Sequence, residues 1–163
     1  MRVVVADATP LNYLILIEAV EVLPILFTTI HIPFEVHEEL GSRYAPEPVR
    51  SWAMRVPPWA VIHGKEVNVQ DASLSALDPG ERAAILLAES VGAELLLIDE
   101  RAGAALAEKR GLAVAGTLGV LEVAAKHGLL QLREAFERLR KTNFRYPPSL
   151  MEKILRELDD RER

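Results

Sequence analysis

The residues best placed for chemistry are carboxylates. Asp7 follows the apolar run Val3-Val4-Val5-Ala6, and Asp99 follows Leu95-Leu96-Leu97-Ile98. Two aspartates at strand ends point to one edge of a sheet, where functional groups gather. Glu81 shares helical spacing with Ala84, Ile85 and Ala88, which puts its carboxylate at the rim of buried surface. Helical phase separates Glu39 from Glu38. With Val36 and Leu40 facing inward at about 100° per residue, Glu39 lies roughly 80° from the middle of that face and Glu38 on the opposite side. Each acid also has a plain structural role open to it. Asp7 and Asp99 can cap helices, and Asp78 with Glu81 has capping-box spacing.

Carboxylates gathered within a few ångströms raise one another's pKa and resist joint ionisation. A divalent cation removes that penalty, and an all-oxygen donor set selects hard ions such as Mg2+ or Mn2+. Such ions activate water and stabilise in-line displacement at phosphorus. Acidic residues, hard metal and phosphodiester hydrolysis therefore form one chemical proposal.

The elements that must position these acids alternate in type. Arg2 to Ala6 is a run suited to a buried strand, and Thr9-Pro10 opens a helix to about Ile17. A short helix over 20–23 and a strand over 26–30 follow. Pro33 starts a helix that ends at Leu40-Gly41, 46–54 is a short helix, and 60–62 is a strand. Residues 67–77 read as a loop with one short extended piece. Downstream come a helix over 78–91, a strand over 94–98, a helix over 101–110 and a strand over 112–115. Helices over 117–127, 132–141 and 148–158 complete the chain. Strands alternating with helices imply a three-layer α/β/α sandwich around a central, mainly parallel sheet. No linker divides the sequence, so residues 1–163 are expected to form one domain.

Composition narrows the chemistry. There are no cysteines, which excludes disulfides, thiolate zinc sites and thiol catalysis and agrees with a cytoplasmic location. The apolar start is too short for a signal peptide and ends in a carboxylate. The longest apolar stretch, 11–30, is interrupted by Glu18, Glu21 and Pro24, so no membrane span is expected. A net charge of −5 does not suit a protein that simply coats nucleic acid. It is compatible with carboxylates collected around metal ions, which reverse the local field.

Several segments resemble the PIN-domain ribonucleases, and in particular a prokaryotic subgroup related to the toxin of VapBC toxin–antitoxin pairs. Asp7-Ala8-Thr9-Pro10-Leu11 is similar to that family's opening block, Ile32 to Leu40 to its second, Gly80 to Ala88 to its third, and Leu97 to Ala102 to its fourth. Gly116-Thr117-Leu118-Gly119-Val120-Leu121 resembles a segment of the subgroup. The blocks stand in the family's order and cover most of the chain. The resemblance implies a PIN-like fold and Mg2+- or Mn2+-dependent cleavage of RNA. It implies Asp7, Glu39, Glu81 and Asp99 as catalytic and metal-binding acids, and Thr9, Glu100 and Arg101 as substrate contacts. A small antitoxin and a homodimer are implied as partners. The sequence departs from the pattern after Asp99, where Glu100-Arg101-Ala102-Gly103 replaces a second aspartate, and Glu81 stands where many relatives have aspartate.

Three other features take bland readings. His31, His37, His63 and His127 lack metal-ligand spacing and are read as surface or hydrogen-bonding residues. Gly116 to Gly119 lacks the lysine of a phosphate loop and is read as a helix start. Arg138, Arg140, Lys141 and Arg145, near Phe144 and Tyr146, suit either nucleic-acid binding or a solvated helix end, the simpler reading. Two rivals remain beside the nuclease: a PIN-like interaction module that does not cut, and a phosphatase resembling the haloacid dehalogenases. The latter would need a second aspartate where Thr9 stands.

Overall fold

A strand covered on both faces needs an unbroken run of bulky apolar residues, and Val3–Ala6 forms such a strand, β1, at the centre of the sheet. The structure is a computed structural model that describes residues 2–65 and 71–161. On one side of β1 lie β2 (Thr29–Ile32) and β3 (Ala60–Ile62); on the other lie β4 (Leu95–Leu97) and β5 (Val114–Ala115). The order is β3-β2-β1-β4-β5 and every pairing is parallel.

Alternating side chains divide the core into two. Val4 and Ala6 join Ile30, Ile32, Ala60 and Leu97 in the larger cluster. It is closed by α1 (Ala8–Leu16), α2 (Val22–Phe27), α4 (Glu47–Met54), α7 (Thr117–Lys126), α8 (Leu132–Arg140) and α9 (Pro148–Arg161). Val5, Leu96 and Ile98 form the second cluster, under α5 (Pro79–Ser90) and α6 (Arg101–Lys109). Helix α3 (Phe34–Leu40) packs against both α1 and α5. The expected three-layer α/β/α sandwich is thus the observed one, with a sheet parallel throughout.

The clearest departure from expectation lies between α2 and β2. A strand was expected from Leu26, but the helix continues to Phe27 and the strand starts at Thr29. The apolar run there fits either period. Pro24 is tolerated because it sits in the first turn, where its missing N–H has no partner to lose. Thr28, at φ 69°, then turns the chain into β2. Within 71–77 the chain makes a 3-10 turn at Ala72–Leu74; the rest of the expected extended piece lies outside the described residues. No described helix is long and apolar enough to cross a membrane.

The topology decides where a site can form. From β1 the chain moves outward to β2 and β3, then returns across β1 to β4. The carboxyl ends of β1 and β4 are therefore the point where the connections diverge, the usual place for a ligand in an open parallel sheet.

Phe136 on α8 is fully buried in the larger core. Phe136→Ala is expected to lower stability by about 3–5 kcal/mol, measured by urea denaturation, in one transition shared by helical and aromatic signals. Two separate transitions would show that α8 and α9 fold apart from the sheet.

Candidate active site

Asp7 is anchored at the divergence point. Its backbone N–H donates to the Leu97 carbonyl at 2.8 Å, tying the end of β1 to β4. It occupies the N-cap position of α1 in extended conformation, yet its side chain makes no cap hydrogen bond. Only 4% of its surface is exposed. Burial pushes its carboxyl up to about 7; the Ala8 backbone N–H opposes this, while the charges of Asp78, Glu39 and Asp99 add to it.

Asp99 lies two residues beyond β4 and is held from the far side of the site. Its Oδ1 accepts the Thr117 backbone N–H at 2.8 Å, and its Oδ2 accepts the Thr117 hydroxyl at 2.6 Å. Thr117 is fully buried. Burial raises the Asp99 pKa and the two Thr117 bonds oppose it. Asp99 thus satisfies the start of α7. The cap of α6, one of the bland readings of Asp99, belongs instead to Glu100, whose Oε2 accepts the Gly103 N–H at 2.8 Å.

At the start of α5, half of the expected capping box forms. Asp78 Oδ1 accepts the Glu81 N–H at 2.8 Å. Among the described residues, no bond returns from the Asp78 N–H to the Glu81 carboxylate. Glu81 is buried, and its Oε2 lies 3.6 Å from where a side chain on Gly103 would begin. Burial drives its carboxyl up to about 8, reinforced by a hydrogen bond to the Asp78 side chain and by the charges of Asp78, Asp7 and Glu100. Glu39 is an exposed residue, and burial of its carboxyl followed by the Asp78 charge raises its pKa.

Glycine makes the convergence possible. A Cβ on Gly80 would lie 3.2 Å from Glu39 Oε2, 3.5 Å from Asp78 Oδ1 and 3.6 Å from Asp7 Oδ1. One on Gly116 would meet Asp99 Oδ1 at 2.5 Å, and one on Gly103 would meet Ile98 Cδ1 at 2.8 Å. Carboxylates from three elements thus point at Gly80, with Glu81 and Asp99 beside them. Asp78, Gly80, Gly103, Gly116 and Thr117 had no place in the sequence-based site. Asp78 offered a signal, since it stands three residues before Glu81, but it read only as a cap. Of the expected substrate contacts, Thr9 is half-buried in the first turn of α1 and Arg101 is exposed at the start of α6. Neither hydrogen-bonds a carboxylate of the quartet among the described residues.

The donor set suits a hard cation: it is all carboxylate, and burial, with like charge at Asp7, Glu39 and Glu81, holds the pKa of its members high. Among the described residues, no group of three or more His, Asp or Glu side chains is drawn together closely enough to enclose an ion. Ligation would therefore require these side chains to draw closer together. A cleft of about 970 Å3 lies beside this mouth rather than over it, lined by Phe34, His63, Lys65, Arg82 and Leu86 among others. The four histidines hydrogen-bond as expected: His31 Nδ1 with His63 Nε2 at 2.9 Å, His37 with the Ala53 carbonyl and His127 with the Val123 carbonyl.

A family model described as a PIN domain matches residues 3–160. No curated protein matches the chain.

The titrations fix the sign of a pH effect. Unfolded, Asp7 and Glu81 titrate near 4; folded, they are pushed up to about 7 and about 8. Between those values the folded chain keeps protons that the unfolded chain has lost, so metal-free stability falls as pH rises from about 4 to about 8. Asp7→Asn removes one of these charges. In chelator at pH 8 it is expected to melt above the wild type, by roughly 2–4 °C for each kcal/mol recovered. It is also expected to lose the upward shift that Mn2+ gives the wild type. A Mn2+ shift of full size in this variant would remove Asp7 from the ligand set.

Gly80→Ala separates fold from site. Alanine is the better helix former by up to about 1 kcal/mol, so the metal-free protein is expected to stay folded. Its methyl group displaces Glu39, and Mn2+ affinity by calorimetry is expected to fall by about 10–100-fold, as for other disturbed ligand supports.

Proposed function

The chain belongs to the PIN-domain family, and we propose that it is a Mg2+- or Mn2+-dependent endoribonuclease that acts as the toxin of a type II toxin–antitoxin pair. PIN domains are generally nucleases that use divalent metal ions. The observation that carries the reading for this chain is the approach of Asp7, Glu39 and Asp78 to Gly80, flanked by Glu81 and Asp99.

In this reading Asp7, Glu39, Glu81 and Asp99 supply the oxygens that hold the ion. The bound ion supplies activation of water and stabilisation of charge on the phosphate being attacked. Thr117 keeps the Asp99 carboxylate in one orientation by donating to both of its oxygens. Asp78 fixes the start of α5, and so the place from which Glu81 projects. Asp7, the most buried of the four, sets the depth of the site. Thr9, Glu100 and Arg101 line the approach as candidate substrate contacts. The resemblance of the sequence blocks to the VapBC toxins supports a small antitoxin and a homodimer as partners, and a cytoplasmic setting.

A second reading, a PIN-like interaction module with weak or no turnover, is favoured by the net charge of −5 and by the departure after Asp99, where Glu100-Arg101-Ala102-Gly103 replaces a second aspartate. Incubation with a mixed RNA pool separates the two. With Mn2+ the nuclease is expected to yield discrete fragments, and chelator is expected to stop cleavage. Asp7→Asn is expected to slow it by at least about 100-fold, the scale of losing one group that stabilises the transition state. Cleavage that survives both chelator and Asp7→Asn would sink the mechanism, and Mn2+ binding without cleavage would favour the module.

A further inference from the structure

The basic and aromatic residues near the carboxyl end do not remain one cluster. Arg138 pairs with Glu134 and donates to the Ile17 carbonyl, and Arg140 pairs with Glu137. These two belong to the solvated face of α8, as the simpler reading held. Arg145 behaves differently. Like Lys141 it is exposed, and among the described residues no carboxylate lies within ion-pair distance of either; Arg145 is set apart by standing between two rings, Phe144 and Tyr146.

The rings on either side of Arg145 are ordered against α1, the helix that begins beside Asp7. Tyr13 meets Phe144 edge to face, with centroids 4.9 Å apart, and Phe144 stacks on Tyr146 at 5.9 Å with 20° between the planes. The Tyr13 hydroxyl donates to Asn143 Oδ1 at 2.8 Å. Thr142 reinforces the turn, donating to the Leu139 carbonyl at 2.6 Å and accepting the Phe144 N–H at 3.2 Å. Pro147 and Pro148 limit the backbone on the far side. Tyr13 stands six residues after Asp7, about 9 Å along the helix axis at 1.5 Å per residue. Its hydroxyl pKa is raised by burial and then by the charge of Asp99, while Arg145 opposes the shift. The Tyr13 hydroxyl is thus within electrostatic reach of both Asp99 and Arg145.

We propose that Tyr13, Phe144, Arg145 and Tyr146 form a docking platform for the single-stranded RNA that flanks the bond to be cut. This rests on the nuclease reading and goes beyond it by naming where the strand lies. Packing alone explains part of the arrangement, because all three rings also rest on the larger core. It does not call for a cation set between two half-buried rings that stack on each other, in a chain of net charge −5. A phosphate on Arg145 and a base against the exposed side of Tyr146 account for both, since ring faces bind bases with little regard to sequence. The platform also answers an electrostatic need. An RNA strand approaching the carboxylates is repelled, and a cation that binds the same strand offsets that repulsion.

The test uses the full chain with a fluorescent single-stranded RNA of mixed sequence. Affinity is read by anisotropy over a range of salt, and cleavage by KM and kcat in Mn2+. Arg145→Ala is expected to weaken binding and to reduce the salt slope by about 0.7, the value for one single-strand phosphate contact. Arg145→Lys is expected to restore the slope. Tyr146→Leu keeps apolar bulk without a ring and is expected to weaken binding by about 5- to 100-fold, the range for one base–aromatic stack; Tyr146→Phe is expected to restore it. For all four variants kcat and the Mn2+ thermal shift should stay at wild-type values, with KM rising in the two weakened ones. Unchanged affinity and salt slope in both Arg145→Ala and Tyr146→Leu would overturn the platform while leaving the nuclease intact. Should Tyr146→Leu unfold, the salt slope of Arg145→Ala decides alone. A wild-type chain that binds RNA without cutting it would remove catalysis and leave the platform to be judged by affinity. No binding of RNA by the wild type would overturn both.

Discussion

Burial of carboxylates at a sheet edge, reinforced at three of them by like charge, is the constraint on which the rest of this structure depends. Burial and like charge raise the pKa of Asp7 and Glu81, with the same direction at Glu39 and Asp99. The fold partly compensates. A parallel sheet brings the starts of its helices to one edge, and α1, α5, α6 and α7 begin there with the positive ends of their dipoles nearest the acids. The compensation is incomplete, since the carboxyls remain displaced upward. What remains is a standing demand for positive charge, met at neutral pH by protons or by a cation.

That demand explains several small residues that would otherwise look incidental. Glycine at 80, 103 and 116 leaves room for side chains arriving from other elements. At Gly116 even a methyl group would collide with the Asp99 carboxylate. Thr117 is buried because its hydroxyl and N–H are committed to Asp99, which satisfies a helix start and orients an acid at once. Removing polar groups from such a network leaves buried partners unsatisfied, so stability and site geometry are tied together here.

Much of this was legible in the sequence, for reasons that can be named. The positions of Asp7 and Asp99 followed from apolar runs that could only be buried strands, and helical phase was enough to prefer Glu39 over Glu38. These are local properties of one element. The boundary between α2 and β2 was misread because 22–30 is apolar in both the helical and the strand period, and only the left-handed Thr28 decides between them. The cap of α6 was assigned among neighbours that all accept hydrogen bonds, and Glu100 rather than Asp99 fills it. The glycines, Thr117 and the part played by Asp78 were illegible for a different reason. What makes them matter is a partner 18 residues away in the case of Asp99 and Thr117, or on another helix in the case of Gly80 and Glu39, and spacing along one chain does not encode that.

The acids also differ in how they are held, and the difference suggests a division of labour. Asp99, Asp78 and Glu100 each accept a backbone N–H from a helix start, so their positions are set by the fold. Asp7 makes no cap hydrogen bond, and Glu39, an exposed residue, brings its Oε2 toward Gly80. Glu81 is tied to Asp78, itself an acid, through its backbone N–H. A rim of carboxylates fixed at helix starts thus stands beside acids whose hydrogen bonds leave their pKa displaced upward. A rim alone would be ordinary capping, and those acids alone would relax toward solvent. Together they keep acidic groups close at a buried edge while leaving the inner ones free to turn toward whatever neutralises them.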